Sequence, residues 1–204
     1  GSVQAAVTAS KQGIAEAAVK DRYLAACYQD TDFSGIWTGD SAADKARRVA
    51  LFDAMRRAED HGLPAARYDA DALLEQLKAA RSARDLGLAD VALSTVFLRL
   101  ARDMQTGALV PGQVDNDIKR QVPYRERASY LTSFVQSNPA AFFRALPPQT
   151  NEYARLMKEK LRLEQLADRG GWGPTVPAEA VKPGQSGAAV TALRNRLVAM
   201  GFLD

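Results

Sequence analysis

The chain has 204 residues, 47% of them hydrophobic and 25% charged, with a net charge of +3; this composition suits one globular domain of about 150 residues and part of another. It carries one cysteine and one histidine, which excludes an intramolecular disulfide and a zinc site built from four Cys/His ligands. No apolar run approaches the roughly 18 residues that a membrane span needs.

Gly1-Ser2 reads as the remnant of a removed tag and is left out of fold reasoning. Basic and acidic residues interleave at helical spacing, as in Asp44/Arg48 and Asp53/Arg57. Such pairs belong to a solvated, mixed-sign surface, so no nucleic-acid partner is expected. Lys119, Arg120, Arg125 and Arg127 form a strip that could face an anion.

Apolar spacing near 3.6 recurs along the chain and strand-like alternation is scarce, so the expected fold class is all-α. A first long helix is expected over residues 3 to 28. A second starts at Ser41, with Asp44 three residues on as an approximate capping box, and buries Leu51, Phe52 and Met55. It stops at Gly62, before Pro64. Asp69 or Asp71 caps a third, with Leu73, Leu74 and Leu77 on one face. A fourth runs from Asp90, where Leu93, Val96, Phe97, Leu100 and Met104 form a stripe, until Gly107 and Pro111 end it. That stripe is expected to be the central core, packed by Phe52, Met55, Phe134 and Leu156.

Val110 to Pro123 is polar and turn-rich, which predicts a loop. Helix resumes from Glu126 to Gln136. Asn138-Pro139 then reads as an N-cap followed by proline at the first helical position, opening a short helix with Phe142, Phe143 and Leu146. Pro147-Pro148 breaks it. A long helix follows from Asn151 to Asp168. The Gly/Pro-rich stretch 170–184 reads as a linker between a scaffold domain, residues 3–169, and a final segment, residues 185–204. In that segment Ser186 is expected to cap one helix with a Val190, Leu193 and Leu197 stripe, ended by Gly201. So short a piece cannot build its own core. It is therefore expected to be the first helix of a truncated module, its apolar face covered either by the body of the scaffold, with Trp172 as a contact, or by a second copy of the chain.

Little of this carries chemistry. No glycine-rich phosphate loop and no G-x-S-x-G elbow is present. Cys27 lies on an apolar helical face, where free cysteine behaves as a small hydrophobe. His61 lies in a helix-ending turn, where it suits a C-terminal cap. Cys27 and His61 are thus not read as nucleophile and base. Glu59-Asp60 are adjacent on a helix and point apart, so they read as solvated charge rather than a hydrolase pair. Trp37 and Trp172 allow two readings, as platforms for sugar rings or as loop anchors. No catalytic, cofactor-binding or metal-binding residue is assigned, and no cofactor is expected. The residues alone indicate a helical binding or scaffolding domain.

The order of several pieces resembles the N-terminal region of the large YcbB-type L,D-transpeptidases of Gram-negative bacteria. The resemblance begins at Tyr28 with Trp37 downstream. It continues through Ala58-Glu59-Asp60-His61-Gly62-Leu63-Pro64 with Tyr68, then Asp90 to Leu93, then Asp103-Met104-Gln105-Thr106-Gly107 and Pro111. Leu146-Pro147-Pro148 with Tyr153 and Leu156 follows, then Gly170-Gly171-Trp172. Lys182-Pro183-Gly184, Val190, Leu193-Arg194, Arg196-Leu197 and Gly201 resemble the start of a peptidoglycan-binding module. Together these pieces span about 175 residues. Cys27 departs from the larger apolar residue expected at its position. The S/T-H-G-C signature of the catalytic domain does not occur, so no catalytic residue is carried over.

The resemblance implies a parent enzyme in which a cysteine thiolate attacks an L,D-peptide bond of a donor stem, forming a thioester that an acceptor amine resolves. It implies a periplasmic location, where a partnerless cysteine is compatible with an oxidising compartment. The implied partners are peptidoglycan, through glycan or stem peptides, and the parent's own C-terminal catalytic domain. The chain is then a non-catalytic scaffold that positions that domain. The alternative is a stand-alone helical wall-binding or protein-interaction domain without enzyme activity.

Overall fold

The computed structural model describes residues 10–177 and 180–204. Among them are ten α-helices and no strand, the all-α class expected. None of these helices is long and apolar enough to cross a membrane. The chain divides into two compact units, residues 1–149 and 150–204.

In the first unit, the long opening helix is instead two. α1 spans Lys11–Ala18 and α2 spans Arg22–Asp30; the expected residues 3–9 lie outside the described residues. The break is at Asp21, whose carboxylate accepts the N–H groups of Tyr23 and Leu24 and caps α2. Aspartate competes locally for backbone donors in this way, which is why it stops one helix and starts the next. α3 spans Ala42–Arg56 and opens with the full Ser41/Asp44 capping box. It is followed by a 3-10 turn, Ala58–His61, that ends on Gly62 at φ 72°, a left-handed value glycine adopts at little cost.

Asp69, rather than Asp71, caps α4, Ala70–Ala79. α5 spans Ala83–Thr106 and starts from a second capping box, Ser82/Asp85. It therefore begins about two turns before the expected Asp90 start. The 110–123 segment holds one helical turn, α6, Pro111–Val114. α7 is Arg127–Val135, and α8 is Pro139–Ala145 with Asn138 accepting the N–H of Ala141.

α5 is the axis of this unit. α1 crosses it so closely that a Cβ on Gly87 would stand 2.9 Å from the carbonyl carbon of Gly13 and the nitrogen of Ile14. Two glycines are what permit the backbones to touch. On α5, Leu93, Phe97, Leu100 and Met104 are buried, as are Phe52, Met55 and Phe134 around them. Trp37, Phe97, Phe134, Phe142 and Phe143 form one aromatic cluster, with the Phe97 and Phe134 rings 4.6 Å apart. Leu156 departs from the expected core, being 70% exposed.

In the second unit, α9 spans Asn151–Asp168 and is capped by Thr150. α10 spans Ala188–Ala199 and runs to Gly201 at φ 77°. Its N-cap is Gly187 at φ 123°, not the expected Ser186, and no side chain caps it. Val190, Leu193 and Leu197 are half-buried. Arg196 donates to the carbonyl of Pro174, tying α10 to the turn that carries Trp172.

Phe97 has no solvent exposure and meets four aromatic neighbours. Phe97→Ala is expected to cost about 3 to 5 kcal/mol. An unchanged thermal midpoint in that variant would place the ring outside the core.

Candidate functional site

The most elaborate polar site is buried. Asp90, inside α5, has no solvent exposure. One carboxylate oxygen accepts the N–H of Ile36 at 2.9 Å and the hydroxyl of Tyr28 at 2.7 Å. The other accepts the N–H groups of Trp37 and Thr38, each at 2.9 Å, and the Thr38 hydroxyl at 2.8 Å. Ser94, one turn on, meets the Tyr28 hydroxyl and accepts the Trp37 indole N–H, both at 2.7 Å.

The carbonyls of the same loop are served from α3. Arg47 donates to Ile36, and Arg48 donates to Trp37 and Gly39. A non-helical segment is thus buried with its donors on one carboxylate and its acceptors on two guanidinium groups, as burial of backbone requires. Among the described residues, no buried side-chain nitrogen or oxygen lacks a partner.

A second node lies further along α5. The Asp103 side chain has no exposure; it accepts Arg67 at 2.8 Å and the Tyr68 hydroxyl at 3.1 Å, and its other oxygen takes Arg102. Burial, and then the neighbouring carboxylate, push the phenols of Tyr28 and Tyr68 above their ordinary value; burial does the same for Tyr130.

The residues singled out from sequence fall as follows. Trp37 is fully buried and stacked on Phe134 at 5.2 Å, so it is a loop anchor and not a sugar platform. Trp172 is 37% exposed. Cys27 is half-buried on α2, beside a cavity of about 380 Å³ bounded by Asp30, Ile36, Arg47, Leu131 and Gln136. Burial pushes its thiol up, Asp30, Glu126 and Asp21 add to the effect, and Arg127 offsets part of it. His61 lines a different cleft, with Arg57 and Arg144. The expected basic strip is divided. Arg127 pairs with Asp21 at 2.8 Å, Arg125 folds onto Ser129 and the Tyr130 ring, and Arg120 borders a groove with Leu63, Val114 and Ile118.

Sequence reading treated Asp90 as a helix start and did not foresee Ser94, Arg47, Arg48 or the Arg67–Asp103 pair. A charged residue in the middle of an apolar stripe was the available signal for both aspartates.

Two outcomes follow from these nodes. Asp90→Ala strands three buried N–H groups and is expected to cost about 4 kcal/mol or more, whereas Asp90→Asn keeps one acceptor and costs less. Equal urea midpoints for Asp90→Ala and the parent chain would remove Asp90 from this role. The raised phenols favour the neutral form in the folded state. Their contribution is fully present below the unfolded phenol value of about 10 and is lost as pH rises above it. Tyrosinate absorbance should therefore show some of the six tyrosines ionising late and together with unfolding. Six phenols titrating near the ordinary value in a folded chain would contradict the burial.

No curated protein and no solved structure matches the chain. One family does, described as Scaffold domain, over residues 22–159. The matched span takes in Tyr28, Trp37, Tyr68, Asp90 and Asp103, the residues that meet at the two carboxylate nodes. By that match, which covers more than half of its length, the chain belongs to the Scaffold domain family.

Proposed function

We propose that this chain is the scaffold portion of a YcbB-type peptidoglycan L,D-transpeptidase. In this reading it acts in the periplasm of a Gram-negative bacterium, and positions a cysteine-dependent domain that forms wall cross-links. Residues 185–204 are then the first helix of a peptidoglycan-binding module.

The observation that carries the reading is the use made of the motif residues. Tyr28, Trp37, Tyr68, Asp90 and Asp103 are buried and bonded to one another or to the loops beside them. A pattern spent on rigidity belongs to a part whose task is to hold other parts in place. Membership of the Scaffold domain family supports the same role. The lone thiol is in keeping with it, because burial and nearby carboxylates disfavour the thiolate that acyl transfer needs.

The test has two parts. The reading frame beyond Asp204 is expected to encode a histidine followed by an S/T-H-G-C signature; a frame that closes without it would favour the stand-alone interaction domain. The chain itself, incubated with peptidoglycan fragments or a carbapenem, is expected to give no new cross-link and no Cys27 adduct by mass spectrometry. A carbapenem adduct on Cys27 would overturn the non-catalytic role.

A further inference from the structure

We infer that the cleft between α3 and α8 is a binding site for a short peptide that carries both a carboxylate and an ammonium group and has methyl-sized side chains. Resting on the wall reading above, its occupant is a peptidoglycan stem peptide ending in a zwitterionic diamino acid.

The cleft encloses about 390 Å³, within the size range of small-ligand pockets. Its floor is apolar. Ala50 and Ala54 come from α3, Met104 from the end of α5, and Phe143 and Pro147 from α8 and the turn after it. All five are buried, so a ligand would meet only their edges. Such a floor, in a cleft lined by three alanines, offers methyl-sized apolar contacts.

The rim is charged and mixed. Arg144, on α8, is exposed, and its guanidinium has no acceptor among the described residues. Its fork of donors suits a carboxylate, which it can take in bidentate fashion. Arg57 stands on the same rim, held only by an exposed pair with Asp60 at 3.1 Å. Exposed pairs of this kind contribute about 0 to 1 kcal/mol, so a second carboxylate can compete for it. Asp53 supplies the opposite sign; it is 57% exposed and pairs with Arg56 at 2.8 Å. An ammonium group entering the cleft would find it there.

Among the described residues, Arg144 is the unpaired charge of this rim, while Asp53 and Arg57 are held by exposed pairs that a ligand's ammonium and carboxylate can replace. A zwitterionic peptide satisfies both rims while its methyl groups cover the floor. Neither the family match nor the buried nodes assign this cleft a role.

The probe is the tripeptide L-Ala-γ-D-Glu-meso-diaminopimelate, titrated into the intact chain and followed by amide NMR shifts. Saturable shifts at Ala54, Met104 and Phe143 are expected. Arg144→Gln should weaken binding at least tenfold and Asp53→Asn severalfold, while the same tripeptide amidated at its carboxylates should not saturate. Both positions are exposed, so far-UV circular dichroism and the thermal midpoint should match the parent chain. Binding unchanged within twofold in Arg144→Gln, shifts confined to other residues, or no saturation would each overturn the cleft. With the catalytic signature found downstream, failure of the titration removes the cleft alone. Without that signature the parent reading falls, and the titration still decides the cleft by itself.

Discussion

One buried carboxylate organises this protein. Asp90 lies in the interior of the longest helix, and the segment 36–38 hangs its backbone donors on it. Without an acceptor there, a loop that is neither helix nor strand could not be buried, since each stranded N–H costs about 1 to 3 kcal/mol. With it, Trp37 is brought down onto Phe97 and Phe134 and the aromatic cluster closes. Tyr28 reaches the same carboxylate from α2, and Arg47 and Arg48 reach the loop carbonyls from α3. Three helices and a loop thus share one polar junction.

Asp103 repeats the device on a smaller scale. The two aspartates are 13 positions apart on α5, roughly 20 Å along the axis and about 140° apart around it at ideal helical geometry. They therefore pin different sides of the helix. Asp90 faces α2 and the 36–38 loop, while Asp103 faces the turn that carries Arg67 and Tyr68. The apolar stripe between them has little freedom to roll, because rolling would pull both carboxylates off their donors. Close contact of Gly13 with Gly87 adds a third constraint, set by shape alone.

A body held in this way presents its surface features in defined positions. The cleft between α3 and α8 draws on residues from both helices and from the end of α5. Its charges sit at its edge, on exposed positions of α3, the turn after it and α8. That division leaves rigid polar nodes inside and charge outside, in keeping with membership of the Scaffold domain family.

Much of the architecture was legible in the sequence by itself. The all-α class, the Ser41/Asp44 capping box, the Gly62 turn, the Asn138-Pro139 start and the Leu93–Phe97–Leu100–Met104 stripe all follow from local rules, because periodicity and capping act over a few residues. The single cysteine and histidine likewise limited the chemistry before any fold was known. What the tertiary structure alone decided depended on residues far apart in the chain. Tyr28 and Asp90 are 62 positions apart, and Arg67 and Asp103 are 36 apart. The Asp21 break was missed because one apolar pattern runs across that cap, and the early start of α5 because its Ser82/Asp85 box lies before the apolar stripe begins. Leu156 was placed in the core on periodicity, which identifies an apolar face but not what covers it. Only the packing assigns a helix face its neighbour, and only the packing turns an aspartate in an apolar stripe from an apparent helix start into the junction of a fold.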